Sequence, residues 1–259
     1  MKILAINASL RGSRGYTHFL IERLLDGARA AGAECETVTL ADLNIRRCLS
    51  CDRCHAGGNL NPCVLAGKDD TEGVFARMAA ADLIIYATPI YVFNLSSLLK
   101  TLLERFFGTS DVRDLRLTKS GLMFHHVDAA LCSKPFVTLI TCDNMEDDTP
   151  RSVLTYFRVF SRFMDAPLVG ELVRDGGSLA GHGDPAVTAK NSRLQQVYAA
   201  YSQAGRELAQ KGRISRATQN RANQSLLPVP FFNLLKRLPF RGLKERFLAE
   251  AKKWKLADL

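Results

Sequence analysis

Four cysteines fall within sixteen residues of this 259-residue chain: Cys48, Cys51, Cys54 and Cys63. The first three are spaced at intervals of three, and such thiols can converge on one small volume when the segment curls. This is the spacing style of an iron-sulfur cluster, whose irons are held by thiolates. Four thiolates also suit structural zinc, although zinc sites more often show two separated Cys-x2-Cys knuckles. A cysteine run that holds no metal is the third reading. The chain has seven cysteines in all, so a fully paired disulfide framework fails on parity. Cys35, Cys132 and Cys142 stand alone and read as packing residues. Cys142 also follows an apolar strand, where a ligand would reach it.

A second constellation lies at the start of the chain. Residues 7–17 (NASLRGSRGYT) are small, polar and punctuated by glycine, and they follow the apolar run 2–6. A loop of this kind at the start of a helix presents backbone N–H groups and hydroxyls to an anion. Ser9, Ser13 and Thr17 supply the hydroxyls, Thr17 can cap the helix, and Arg11 supplies charge and a planar fork for phosphate oxygens. No Gly-Lys-Ser/Thr follows, so this is no Walker A loop, and glycines at 12 and 15 do not make the dinucleotide fingerprint. Further along, Thr88-Pro89-Ile90-Tyr91-Val92-Phe93-Asn94 puts two aromatics directly after another apolar run. Beside a phosphate loop they suit a flat ring. A ligand-free polar turn and aromatics that merely cover the sheet edge are the plain alternatives.

The elements that must position these groups follow from periodicity. Apolar runs at 2–6, 37–40, 83–88, 136–141 and 168–173 read as strands buried in a parallel sheet. Apolar positions 20, 21, 24, 25 and 28 mark the first helix, which Gly32 ends. Residues 95–107, 150–164 and 187–211 read as further helices. Strands alternating with helices predict an α/β domain, doubly wound around five parallel strands. Residues 108–134 are too long for a plain loop between a helix and a strand.

The opening segment KILAINASLRGSRGYT, the cysteine run and ADLIIYATPIYVFNLSSLLKTLLERF together resemble the flavodoxin-like NAD(P)H-dependent FMN reductases. They resemble most the branch of iron-sulfur flavoproteins. Members typically open Asn-Gly-Ser-Pro-Arg after the first strand. Ser9, Arg11 and Thr17 match, whereas Ala8 and Leu10 replace the Gly and Pro. Thr88-Pro89-Ile90-Tyr91 matches the Ser/Thr-Pro-Val-Tyr after the third strand, and Asp69-Asp70 matches an Asp pair beyond the cysteines. The eight-residue gap before Cys63 is longer than is usual there. The resemblance covers residues 1–107 well and 134–212 loosely.

The resemblance implies a flavodoxin-like fold that binds FMN. Ser9, Leu10, Arg11, Ser13 and Thr17 would surround the phosphate, and Thr88, Pro89, Ile90, Tyr91, Val92 and Phe93 would line the ring. The loop after the fourth strand, Thr141-Cys142-Asp143-Asn144, would be the third contact, with Thr141 and Asn144 as its cofactor-binding residues. Cys48, Cys51, Cys54 and Cys63 would hold a [4Fe-4S] cluster. NAD(P)H would be the electron donor and a small molecule or redox protein the acceptor. A flavodoxin-type carrier without enzymatic activity is the alternative. No side chain is required as general acid or base. A homo-oligomer is expected.

The charge divides the chain. Residues 187–259 hold 15 Lys and Arg against 4 Asp and Glu, a net of +11, whereas residues 1–186 have a net of −2. The body therefore lacks the basic footprint of a nucleic-acid-binding domain. The expected division is an FMN-binding domain at 1–212, carrying the cysteine segment 48–63 and the insertion 108–134, and a basic helical tail at 213–259. In the tail, Phe240, Leu243, Phe247, Leu248, Ala251 and Trp254 recur at helical spacing among basic residues, and Pro228, Pro230 and Pro239 divide it. That face suits docking on protein better than on a membrane surface. The N-terminus lacks the apolar stretch of a signal peptide, so a cytoplasmic location is expected. His125, His126 and Asp128, and the acidic loop of Asp143, Glu146, Asp147 and Asp148, read as structural or solvated groups rather than metal ligands.

Overall fold

The computed structural model describes residues 1–58, 60–226, 240–242, 244–246 and 249. The chain forms two units, Met1–Gln224 and Ser225–Leu259. The first unit therefore runs twelve residues beyond the boundary expected at 212. In the second, Arg241 and Glu245 form an exposed i,i+4 ion pair at 2.8 Å. The expected apolar positions Leu243, Phe247, Leu248, Ala251 and Trp254, and the three tail prolines, lie outside the described residues.

The strands of the first unit are β1 (Lys2–Asn7), β2 (Glu34–Thr39), β3 (Leu83–Tyr91), β4 (Asn94–Leu95), β5 (Asp111–Leu117), β6 (Met123–His126), β7 (Phe136–Thr141) and β8 (Leu168–Arg174). The helices are α1 (Tyr16–Ala30), α2 (Thr71–Ala80), α3 (Ser97–Glu104), α4 (Ala129–Cys132), α5 (Asp148–Met164), α6 (Pro185–Lys190), α7 (Ser192–Lys211) and α8 (Arg216–Ala222). Five strands pair in parallel in the order β2-β1-β3-β7-β8, and β4 adds an antiparallel hairpin to β3. Counting parallel strands alone gives 2-1-3-4-5, the flavodoxin-like order, with its switch point between β1 and β3.

Burial explains why the apolar runs became strands. All of β7 is buried, and so is β1 beyond Lys2. Alternate residues serve opposite faces. Leu4, Ile6, Ile84, Tyr86 and Phe136 join one core with Val74 and Met78 of α2, Leu99 and Leu102 of α3, and Phe157 and Phe160 of α5. The other face is covered by α1 and α7. Their backbones touch at two glycines: a Cβ at Gly27 would lie 1.8 Å from the Ser202 carbonyl oxygen, and one at Gly205 1.8 Å from that of Leu24.

Three expected elements differ. The helix predicted at 95–107 ends at Glu104 and tightens into a 3-10 turn, Arg105–Thr109. The helix predicted at 187–211 is two, because Asn191 is extended and its side chain caps α7 by accepting from the Leu194 N–H. Residues 108–134 contain the antiparallel hairpin β5–β6 and the one-turn α4, which Asp128 caps. His126 faces Asp114 at 3.7 Å on that hairpin. Cys132 is core, and burial pushes its thiol up to about 12.

Candidate functional site

The first loop is shaped by the last residue of β1. Asn7 is buried; its Oδ1 accepts the Ser9 N–H at 3.1 Å and its Nδ2 donates to the Gly12 carbonyl at 3.2 Å. These bonds curl the chain so that residues 9–15 sit above the strand. Ser9 Oγ accepts the Arg11 N–H at 3.2 Å. The α1 N-cap is Gly15 and has no side-chain cap bond, so the first-turn N–H groups remain available to an anion. A Cβ at Gly15 would lie 2.5 Å from Ser9 Oγ, so glycine lets the helix start press against that serine. Thr17 is not the cap expected: it lies inside α1, and its Oγ1 shares a hydrogen bond with Thr141 Oγ1 at 2.8 Å.

The second wall is the end of β3. Thr88 is buried behind it, where its Oγ1 accepts the Ser96 N–H at 3.0 Å. Ser96 Oγ in turn donates to the Ala8 carbonyl at 2.7 Å, tying this wall to the first loop. Tyr91 pairs with Asn94 across a tight turn whose central residues, Val92 and Phe93, have φ of +48° and +64°. Such a turn usually takes Asn-Gly. Left-handed β-branched and aromatic residues cost about 1–3 kcal/mol each, a strain that tends to gather at functional sites. Ser152 Oγ, which donates to the Phe93 carbonyl, helps to hold it.

The third wall comes from the loops after β7 and β8. The resulting cleft lies at the carboxyl ends of β1, β3 and β7, where open α/β sheets bind ligands. It is lined by Ser9, Arg11, Thr17, Pro89, Ile90, Tyr91 and Thr141, all among the residues expected there. Leu10, Ser13, Thr88, Val92, Phe93 and Asn144 do not line it. Leu10 and Ser13 are exposed beside it, and Val92 is 92% and Phe93 66% exposed at the turn tip. Asn144 accepts the Glu146 N–H in the next loop.

Cys142 and Asp143, from the loop expected as the third contact, also line it, and so do three residues not singled out for this cleft: Tyr16, Gly177 and His182. The signal for Gly177 was the Gly-Gly pair just beyond a predicted strand, since open sheets bind at strand carboxyl ends. Burial, and then Tyr198, raise the Tyr16 phenol well above its ordinary range, and the two hydroxyls lie 3.1 Å apart.

The cysteine segment closes on itself at its base. Asp70 accepts the Asn44 N–H at 2.7 Å, and Asp69 accepts the Arg46 and Thr71 N–H groups at 3.0 and 3.1 Å. Arg105 Nη1 reaches Asp69 at 2.5 Å, the Thr71 hydroxyl at 2.9 Å and the Arg46 carbonyl at 3.0 Å. Burial alone would raise the Asp69 carboxyl, but these donors outweigh it and hold it below its usual range. Above this base, all four cysteines line one cavity with Arg105, Phe107 and Gly108. Arg105 Nη2 donates to Cys63 Sγ at 3.8 Å, and the Ser50 N–H to Cys48 Sγ at 3.5 Å. Burial raises the Cys54 thiol, and the neighbouring Cys63 and Cys48 raise it further.

Donor chemistry tests the groups that the resemblance implies. In the cleft, Arg11, hydroxyls and an uncapped helix start suit a phosphate, and Ile90 and Tyr91 offer apolar surface to a ring. At the cysteines, four sulfurs around one space with N–H donors to sulfur suit a thiolate-held centre. Among the described residues, no three His, Cys, Asp or Glu side chains gather closely enough to hold a single ion.

Residues 1–128 match the family model described as NADPH-dependent FMN reductase. The chain is 35% identical over 105 residues to an iron-sulfur flavoprotein of Archaeoglobus fulgidus, covering 40% of this chain and 48% of that protein. It is 32% identical over 105 residues to an iron-sulfur flavoprotein of Methanosarcina thermophila, covering 40% and 52%. The chain thus spans about half the length of these curated relatives. Among solved structures, an FMN-dependent NADH-azoreductase of Bacillus anthracis, in complex with FMN, superposes with a TM-score of 0.57. That likeness covers 81% of this chain and all of the other at 15% identity, and it concerns the fold.

Proposed function

We propose that this chain, whose residues 1–128 match the family model of the NADPH-dependent FMN reductases, is an FMN-dependent oxidoreductase using NAD(P)H. The observation that carries the reading is the cleft at the β1/β3 switch point, where Arg11 and the uncapped start of α1 face the same space as Ile90 and Tyr91. Arg11, Ser9 and the first-turn N–H groups of α1 would bind the FMN phosphate. Pro89, Ile90 and Tyr91 would pack on the ring, with Thr17 and Thr141 beneath it. Bound FMN would supply two-electron acceptance and transfer to an acceptor. The chain's part is to bind and orient the flavin and to exclude water from one of its faces.

Cys48, Cys51, Cys54 and Cys63 would hold a [4Fe-4S] cluster, which supplies one-electron transfer. The relatives' names and the shared cavity support this centre over zinc. The acceptor is a small molecule or a redox protein.

Two measurements test the reading. Titration of the flavin-free chain should show FMN uptake, weakened about 10- to 100-fold in Arg11→Met, the loss of one charge-assisted hydrogen bond. Anaerobic mixing with NADH or NADPH should then bleach the flavin; a persistently oxidised flavin would favour the carrier. Anaerobic purification should yield about four iron and four sulfide per chain. Zinc in their place would sink the cluster.

A further inference from the structure

Asp143 and His182 on the cleft wall have no part in flavin binding as described above. His182 sits in the turn Gly181–Gly183 at φ +50°, a left-handed conformation uncommon for a residue with a β-carbon. Its N–H donates to the Gly177 carbonyl at 3.1 Å, and the Gly177 N–H donates to the Cys142 carbonyl at 3.2 Å. Ser178 donates to Asp143 Oδ1 from both its N–H, at 2.7 Å, and its hydroxyl, at 2.9 Å. The loop after β8 is thus laced to the loop after β7. His182 Nε2 lies 3.5 Å from the same Asp143 oxygen. The imidazole stands edge-on to the Tyr16 ring, with centroids 5.9 Å apart, and is 40% exposed.

The titratable and charged groups on this cleft are Arg11, Tyr16, Tyr91, Cys142, Asp143 and His182. Arginine does not release its proton. Tyr16 is kept neutral by burial and its hydroxyl is engaged with Tyr198. Cys142 Sγ is directed at the Asn144 carbonyl at 3.3 Å. Histidine is the side-chain type that exchanges a proton most readily near neutral pH.

We propose that His182 is the proton donor to the acceptor reduced in this cleft, and that Asp143 is its positioning residue. The inference rests on the FMN reading. Take an acceptor of the quinone class. Reduced FMN, held by Arg11, Ser9 and the start of α1, would supply the hydride with its electron pair and so be the reductant of the acceptor. The N–H bond of the His182 imidazolium breaks, and an O–H bond forms on the acceptor. The acceptor gains one hydride and one proton and leaves as the hydroquinone. The neutral imidazole regains its proton from solvent at its exposed edge. Asp143 orients the ring through Nε2, which leaves Nδ1 to hand over the proton.

The test uses the full chain loaded with FMN and photoreduced anaerobically, so that the identity of the donor does not enter. It is then mixed with benzoquinone, which takes up protons, or with ferricyanide, which takes only electrons. The ratio of the two rates is the readout. His182→Gln should lower that ratio about 100-fold, within the range of a positioned general acid, and Asp143→Asn should lower it by about tenfold. A ratio unchanged in His182→Gln, or both rates lowered equally, overturns the proposal. In the flavin-free chain, Asp143→Asn should shift the ¹⁵N resonance of His182 Nε2; an unmoved resonance overturns the positioning role. A chain that takes up no FMN fails at the earlier step, where the function reading falls and this inference with it.

Discussion

Arg105→Met is expected to cost about 3–5 kcal/mol of stability, the usual consequence of leaving one charge of a buried pair without its partner. The side chains of Arg105 and Asp69 are only 4% and 1% exposed. Removing the guanidinium strands the Asp69 carboxylate, the Thr71 hydroxyl and the Arg46 carbonyl together. The pH dependence has a definite sign. In the parent the folded Asp69 lies below its unfolded value of about 3.9. Its contribution is therefore full above that value and is lost as pH falls through the folded pKa. In the variant the unpaired carboxyl is raised, so the deficit is largest at neutral pH and shrinks as acid protonates it. Urea unfolding at pH 7 and pH 4.5 checks both statements. A deficit under about 1 kcal/mol, or one equal at the two pH values, would refute them. Because the same guanidinium donates to Cys63 Sγ and closes the base of the cysteine segment, the variant should also retain less of the iron that the proposed cluster would bring.

The second large effect is expected where α1 crosses α7. Alanine is favoured over glycine in a helix by about 1 kcal/mol, and that alone would make Gly205→Ala stabilising. Here the added Cβ would lie 1.8 Å from the Leu24 carbonyl oxygen, a backbone atom that no rotamer change can move. The helices must separate by more than an ångström, which loosens Leu20 and Leu24 against Tyr201 and Leu208, all buried. Overpacking of this kind costs about 1–3 kcal/mol, occasionally more. A net loss of about 2–3 kcal/mol is expected. FMN affinity should fall as well, since Tyr16 and Thr17 ride on α1 and Tyr198 holds Tyr16 from α7. Gly73→Ala in α2 is the contrast: nothing lies within 4 Å of its added Cβ, so helix propensity should prevail and add about 0.5–1 kcal/mol. Thermal unfolding that moves both variants in one direction would contradict the packing argument.

The legible parts of the fold share one property. Strand 136–141 lies where the sequence reading put it, and those at 2–6 and 83–88 extend only slightly further. Each is buried on both faces, which demands an uninterrupted apolar run. The hairpin β5–β6 was not legible because it alternates charged and apolar residues and leaves Leu115, Leu117 and Met123 exposed. The break before α7 was hidden because Asn191 interrupts a continuous helical pattern by capping, a local side-chain choice that periodicity does not register. The site divides in the same way. Ser9, Arg11, Thr17 and 89–91 were found because they follow strand ends in sequence. Tyr16 and His182 were missed because they reach the cleft from a helix start and from the turn after β8.

The sequence by itself determined the strand-and-helix alternation, the polar loop after the first strand, the compact run of four cysteines and the confinement of excess positive charge to the last third of the chain. These are properties of neighbouring residues, and local periodicity and spacing carry them. Only the tertiary structure decided that Thr17 meets Thr141 rather than capping α1, and that Asp69 and Arg105 close the cysteine segment across 36 residues. It also placed His182 beside Asp143. Those pairings join residues far apart in the chain, and their partners are chosen by sheet order and helix packing, which no window of sequence contains.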